Sequence, residues 1–299
     1  MALQIDCDED GSIGLDEFCE LYIDGKFNAA EQESLVEAAP LLKKLANDRN
    51  FFGRFVIDSL TNNLSDQSDN RYGVGSLILR NLGRNSFLRV NCWSSHQDFE
   101  YIKKPDAFIY EMAHDHNFNF LTIGYFGPGY LSKYYEYDYS DLDGYIGESA
   151  GLKFIKERNL KEGDILLYRA LQDVHEQFPP ESMSVSINIM DANPAFQYIY
   201  QYYFDTDKNV ISHVMSAKSS PSIFEIAGAL NDADVDDTLA HISANSDCDM
   251  TRYRACKALV KSSNSEAEAE QRAKLGLDSN RRMVREMTRR YVSSVLQAS

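Results

Sequence analysis

Six histidines occur in the chain, and three of them have spacings that suit metal chemistry. His114 and His116 lie two residues apart, so on a β-strand both side chains point to one face. His175 follows the apolar strand opening Gly163-Asp164-Ile165-Leu166-Leu167-Tyr168-Arg169 and then Asp173-Val174. A third imidazole reaching the same point would give a facial site with open positions. Imidazole-rich sites favour Fe, Zn, Cu or Ni over Mg or Ca. His96, His213 and His241 lack such neighbours and read as ordinary residues. A second ligating pattern opens the chain. Asp6, Asp8 and Asp10 supply three carboxylates, Gly11 permits a sharp turn, Ser12 offers its carbonyl, Gly14 leaves room for a water, and Glu17 closes with two oxygens. Oxygen-only donors at this spacing suit a hard cation such as Ca²⁺, which takes about six to eight of them.

The background to these sites is acidic. The 299 residues carry 46 Asp and Glu against 30 Lys and Arg, a net charge of −16. That balance argues against nucleic acid or a polybasic membrane contact as partner. Residues 1–24 hold eight acids and no base, half of the net charge, whereas the stretch from Met250 onward is basic. Five cysteines, an odd number without a Cys-x-x-Cys, suggest neither a disulfide framework nor a zinc ribbon. There is no long uncharged apolar run and no basic, apolar leader, so a cytoplasmic setting is the default expectation.

The elements that must position these residues fall into four segments: 1–27, the acidic loop; 28–72, helical; 73–217, strand-rich; and 218–299, helical. Leu35, Val36, Ala39, Leu42 and Leu45 have helical spacing, and Phe51 to Leu60 suggest a second helix. The strand-rich segment alternates short Val, Ile, Tyr and Phe runs with Gly, Asn, Asp and Pro. The runs are 76–79, 86–90, 107–111, 118–126, 133–139, 164–169, 184–190 and 199–204. Eight such runs without intervening long helices predict an all-β sandwich or barrel. After Pro221, helices are expected at 224–230, 235–243, 250–260 and 280–296. The last places Val284, Met287, Tyr291 and Val295 on one side and five arginines around the rest, a helix docked by its apolar face.

Residues Asp6 to Glu17 resemble an EF-hand loop, though only Met1–Ile5 precede it where an entering helix belongs. The His-x-His, the Gly-Asp strand opening and the later His resemble the double-stranded β-helix superfamily, the cupins and their Fe(II) oxygenase relatives. That resemblance implies a mainly β barrel with flanking helices and assigns His114, His116 and His175 as ligands. Two family features are missing. Phe120 and Leu121 stand where cupins often place a Glu, and Met183, Ser184 and Val185 stand where 2-oxoglutarate oxygenases place a basic anchor. What remains is a three-His site, as in cupins of the thiol-dioxygenase type. Gly127-Pro128-Gly129 reads as a turn. If 118–126 and 133–139 pair about it, Glu136 faces Phe120 and reaches the ligand face as a fourth ligand or an imidazole's acceptor. Tyr168 and Arg169 open toward the His175 motif and are candidates to hold a substrate carboxylate, with a surface role for Arg169 as the open alternative.

The function expected is a mononuclear non-haem iron oxygenase acting with O₂ on a small organic or amino-acid-like substrate, with Fe(II) at the histidines and Ca²⁺ at the loop. A non-oxygenase metal enzyme (isomerase, decarboxylase or hydrolase) on the same barrel, and a calcium-responsive binding module without catalysis, stay open as alternatives. So does a homodimer.

Overall fold

The computed structural model describes residues 2–70, 72, 75–95, 97–98, 109–215, 221–230 and 232–296. His96 and the first two residues of the strand expected at 107–111 lie outside them, and of the remaining three Tyr110 forms a single bridge to Gln177. The chain divides into two compact units, one of residues 1–139 with 151–196 and one of residues 140–150 with 197–299.

The first unit is built on ten strands: β1 (Leu3–Ile5), β2 (Ser76–Gly83), β3 (Ser86–Trp93), β4 (Ala113–Asp115), β5 (Phe120–Phe126), β6 (Leu131–Glu136), β7 (Lys153–Asn159), β8 (Ile165–Tyr168), β9 (Asp173–Gln177) and β10 (Ser184–Asp191). One sheet has the order β1-β8-β5-β10-β3-β2, and the other contains the run β4-β9-β6-β7. The pairings described between these strands are antiparallel. From β3 to β10 the chain changes sheets at each step except β6 to β7. That strand order is the double-stranded β-helix, an eight-stranded jelly roll.

Period-two alternation decides which face each strand buries. Leu88 and Val90 of β3, Leu121 and Ile123 of β5, Ile165 and Leu167 of β8, and Ile187 and Ile189 of β10 all enter one core. It is completed by four helices, α1 (Leu15–Asp24), α2 (Gln32–Glu37), α3 (Ala39–Asn47) and α4 (Phe51–Thr61), through Phe18, Leu35, Leu42, Leu45 and Phe51. Each fully buried Leu, Ile or Phe contributes about 1.5–3 kcal/mol relative to exposure. The alternate positions of the same strands, among them Arg89, Trp93, Phe120, Tyr168, Asn188 and Met190, turn to the space between the sheets, where Tyr130 and Tyr134 meet them.

Two expectations are corrected here. Strands β5 and β6 do not pair with each other. β5 lies between β8 and β10, whereas β6 lies between β9 and β7. Gly127 and Gly129, with φ of +84° and +80°, carry the chain from one sheet to the other rather than closing a hairpin. Glu136 therefore stands opposite Asp173 and Lys153, not Phe120. The second correction is at the start of the chain. Leu3–Ile5 form an edge strand on β8 in place of an entering helix, and α1 begins at Leu15.

Unit two contains the antiparallel hairpin β11 (Gln201–Asp205) and β12 (Val210–Met215). Helices α5 (Pro221–Leu230), α6 (Ala233–Asn245), α7 (Asp249–Lys261), α8 (Glu266–Leu277) and α9 (Arg282–Leu296) follow. α7 packs against each of the other four. The terminal helix buries Met283, Val284 and Met287, while Arg282 pairs with Asp143 and Arg281 with Asp249. α8 has too few apolar residues for a periodicity signal. Its start is set by Ser265, whose hydroxyl accepts from Glu268 N, and Arg272 ties it to Asp236. No helix among the described residues is long and apolar enough to cross a membrane.

The sheet crossing gives a test. A Cβ on Gly129 would meet the Leu160 carbonyl oxygen at 2.0 Å, at a φ that L-residues disfavour. Gly129→Ala should cost about 3 kcal/mol in urea unfolding. Gly14→Ala, with nothing within 4 Å of the added carbon, should stay within about 0.5 kcal/mol of the parent.

Candidate metal centre

His114 sits at the middle of β4 and lies directly opposite His175 of β9. Tyr134 of β6 flanks His175 on its other side. His116 follows the end of β4, and its carbonyl accepts from Leu171 N at 2.7 Å, which fixes the chain just beyond the strand. Asp115, between the two histidines, is fully buried on the opposite face and accepts a hydrogen bond from Tyr137 Oη. These contacts hold a strand of only three residues in place.

The three imidazoles converge through one nitrogen each. His116 Nε2 lies 3.0 Å from His175 Nε2, and His175 Nε2 lies 3.1 Å from His114 Nε2. His114 Nδ1 is 2.8 Å from the Met112 carbonyl, so it carries the proton and donates it there. That leaves His114 Nε2 as a bare lone pair aimed at the other two rings. Burial pushes His114 down to about 4 and holds His116 and His175 well below the usual histidine range. All three are neutral at pH 7, the state in which imidazole binds a metal.

The spacing fits a metal ion. A metal–imidazole bond of about 2.1 Å places nitrogens at right angles about 3.0 Å apart, and tetrahedral ones about 3.4 Å apart. The observed 3.0 and 3.1 Å match the right-angle spacing for the two contacts of His175, and all three ligand nitrogens lie within 4.8 Å of one another. Without an ion, a single imidazole N–H cannot serve both contacts of His175 Nε2. Among the described residues, these three are the one group of His, Cys, Asp or Glu gathered closely enough to hold a metal.

Aromatic rings wall the site. His116 meets the Phe120 ring edge-on at 5.0 Å, and Phe120 stacks on Tyr168 at 4.3 Å. Tyr168 packs against His175 at 4.8 Å, and its hydroxyl lies 3.1 Å from that of Tyr134. Burial holds both phenols protonated. The centre opens into a cavity of about 150 Å³, lined also by Tyr72, Arg89, Asn91, Trp93, Tyr130, Gln177 and Asn188.

The remaining expected residues lie elsewhere. Arg169 grips Asp173 through its backbone N (2.7 Å), Nε (3.1 Å) and Nη2 (2.6 Å), and Nη2 also reaches Glu136 at 2.6 Å. The two thus meet at the start of β9 as a framework cluster, and neither lines the cavity. Tyr168 stands behind His175 rather than in the open space. The structure does not gather the acidic loop into a ligand set. Asp6 accepts from Gln4, Glu9 folds back onto Gly11 N at 2.8 Å and pairs with Lys44, and Asn47 donates to the carbonyls of Glu9 and Gly11. Asp6, Asp8, Asp10 and Glu17 do not converge, Ser12 has no gathered carboxylates to join, and Ca²⁺ binding here finds no support. The loop is pinned by α3 side chains and by β1, which replaces the entering helix.

Several residues of the cavity escape the sequence reading, and Arg89 is the charged one among those described. It stands on β3, with its guanidinium over the Tyr72 ring at 4.9 Å. Its Nε is buried without a hydrogen-bond partner, and burial lowers the basicity of the group. The available signal was the alternation Leu88-Arg89-Val90-Asn91-Cys92-Trp93, which places Arg89 on one face with Asn91 and Trp93.

Neither a protein-family model nor a curated protein sequence matches this chain. Solved structures that align with it include salicylate 1,2-dioxygenase from Pseudaminobacter salicylatoxidans, at 10% identity and TM-score 0.26 over 48% of this chain. The aligned part is 33% of that dioxygenase, about a third of its length. CoII HppE in complex with Tris buffer aligns at 12% identity and TM-score 0.22, over 58% of this chain and 96% of that one. Hydroxypropylphosphonic acid epoxidase from S. wedmorenis aligns at 12% identity and TM-score 0.21, over 61% and 99%. At those scores the strand order and the histidine geometry of this chain stand on their own.

The role of Arg169 can be tested directly. Arg169→Met takes from Asp173, which is 2% exposed, the ion pair and side-chain hydrogen bonds that Arg169 gives it. The variant should lose about 2 kcal/mol in chemical unfolding, the usual cost of removing hydrogen bonds to a charged group. Its affinity for a divalent metal, measured by calorimetry, should change less than about threefold, well below the loss expected when a ligand's own support is removed.

Proposed function

We propose that this protein is a mononuclear non-haem iron oxygenase acting with O₂ on a small organic substrate. The observation that carries the reading is the convergence of His114, His116 and His175 Nε2 at 3.0 and 3.1 Å inside a double-stranded β-helix. Three neutral nitrogens as the whole protein ligand set leave adjacent positions for other ligands, the requirement that oxygen-activating iron sites share. Bound Fe(II) would supply the electrons and open positions through which O₂ and a substrate react.

The protein's part is positioning and exclusion. The Met112 carbonyl fixes the tautomer of His114. Phe120 and Tyr168 hold the rings of His116 and His175 at steep angles and keep bulk water from that side. Tyr134 and Tyr168 share a hydrogen bond and stay protonated, so they act as wall and not as base. The aromatic cavity then accepts an organic molecule against the open side of the histidines.

Anaerobic reconstitution with Fe(II) tests the reading. One iron per chain is expected by elemental analysis, with O₂ uptake on adding members of a panel of small organic acids. His114→Ala, His116→Ala and His175→Ala should each weaken iron binding at least about tenfold while far-UV circular dichroism is retained. Stoichiometric zinc or manganese with no O₂ uptake for any class of substrate would instead mark a metal enzyme of another reaction class.

A further inference from the structure

The cavity beside the histidines has a charge problem. Arg89 is the one residue with a permanent charge among its described lining, and no Asp or Glu joins it there. Its Nε is sealed from solvent without an acceptor, and its guanidinium faces the Tyr72 ring at 4.9 Å. A guanidinium carries five N–H donors and no acceptor, and an aromatic face satisfies none of them fully. The metal-binding face is uncharged, so a divalent ion held there would leave its whole charge inside the same space. A cationic cavity with an unpaired guanidinium nitrogen in its wall is stabilised by an anion that enters from outside.

We infer that the ligand of this cavity is a small organic monocarboxylate whose carboxylate pairs with Arg89 while its carbon body lies among the aromatic rings. The inference deepens the proposed oxygenase reading and rests on the cavity being its substrate site. Size limits the body. The cavity of about 150 Å³ is of the volume that accepts a benzene-sized molecule. Trp93 and Tyr130, with ring centroids 4.0 Å apart, form an apolar wall of that cavity. Trp93 comes two residues after Asn91 and four after Arg89 on the same face of β3. Arg169, expected from the sequence to hold a carboxylate, is already saturated by Asp173 and Glu136.

Trp93 is the sole tryptophan, so its fluorescence reports on this cavity alone. The test titrates metal-free protein with benzoate and with benzamide, its neutral near-isostere. Benzoate should quench or shift Trp93 emission saturably and bind at least tenfold more tightly than benzamide. Arg89→Met should abolish that preference, and Arg89→Lys should keep part of it. The thermal midpoint of Arg89→Met without ligand should equal or exceed that of the parent, because an unpaired buried charge has been removed. Benzoate should raise the midpoint of the parent but not of this variant. A His114→Ala, His116→Ala double variant should lose iron and keep the benzoate preference, so failure of the iron reading is distinguishable from failure of this one. Equal affinity for benzoate and benzamide, no saturable signal with either, or unchanged benzoate binding in Arg89→Met would each overturn the inference. A lowered midpoint for Arg89→Met would do so too, by marking Arg89 as a framework residue.

Discussion

Three imidazole nitrogens at hydrogen-bond distance, with too few protons to satisfy them, set the terms for the rest of the first unit. Such a cluster is costly unless it is neutral, rigid and supplied with a cation. Burial supplies the neutrality, and the Met112 carbonyl fixes one tautomer. Rigidity comes from two strands of opposite direction, β4 and β9, which set His114 against His175. A short strand such as β4 could not hold that position alone. The Leu171–His116 and Glu111–Gln177 backbone bonds and the buried Tyr137–Asp115 contact brace it on both sides.

The two faces of the β1-β8-β5-β10-β3-β2 sheet carry opposite duties. In an antiparallel sheet with one wet face, the polar residues of each alternating strand point to water. Here helices α1 to α4 cover the apolar face, and the mixed face looks into the barrel. Arg89, Asn91, Ser186 and Asn188 are therefore interior residues although their pattern in the sequence is that of a surface. A one-residue slip of β3 would push Arg89 into the helix-covered core and turn Leu88 into the cavity, so the register protects itself.

This inversion explains what was legible beforehand and what was not. An all-β class and most of its strands follow from local periodicity, whereas the double-stranded β-helix and the meeting of His114, His116 and His175 are what the resemblance of the His-x-His and the later His implies. β7 was missed because Lys, Glu and Arg fill an edge strand, and β4 because three residues give no periodicity. The placement of Glu136 required knowing that the chain changes sheets at Gly127 and Gly129, a matter of tertiary topology. Arg169 looks like a substrate anchor only until its distance to Asp173 is known. The opening acidic loop matches a cation-binding pattern residue by residue. Its failure lies outside the loop, in β1 pairing with β8 and in the hold of Lys44 and Asn47.

The pairing of His114 with His175 has a mechanical side. The two are 61 residues apart in sequence, and all five cysteines of the chain are free. An ion shared by those rings would tie β4 to β9 as a covalent bridge ties two distant segments. It would close a loop whose entropy in the unfolded chain is worth on the order of 4 kcal/mol. In a protein without disulfides, the metal would be the staple of the barrel as well as the seat of its chemistry, and a chelator would loosen the fold as it silenced the site.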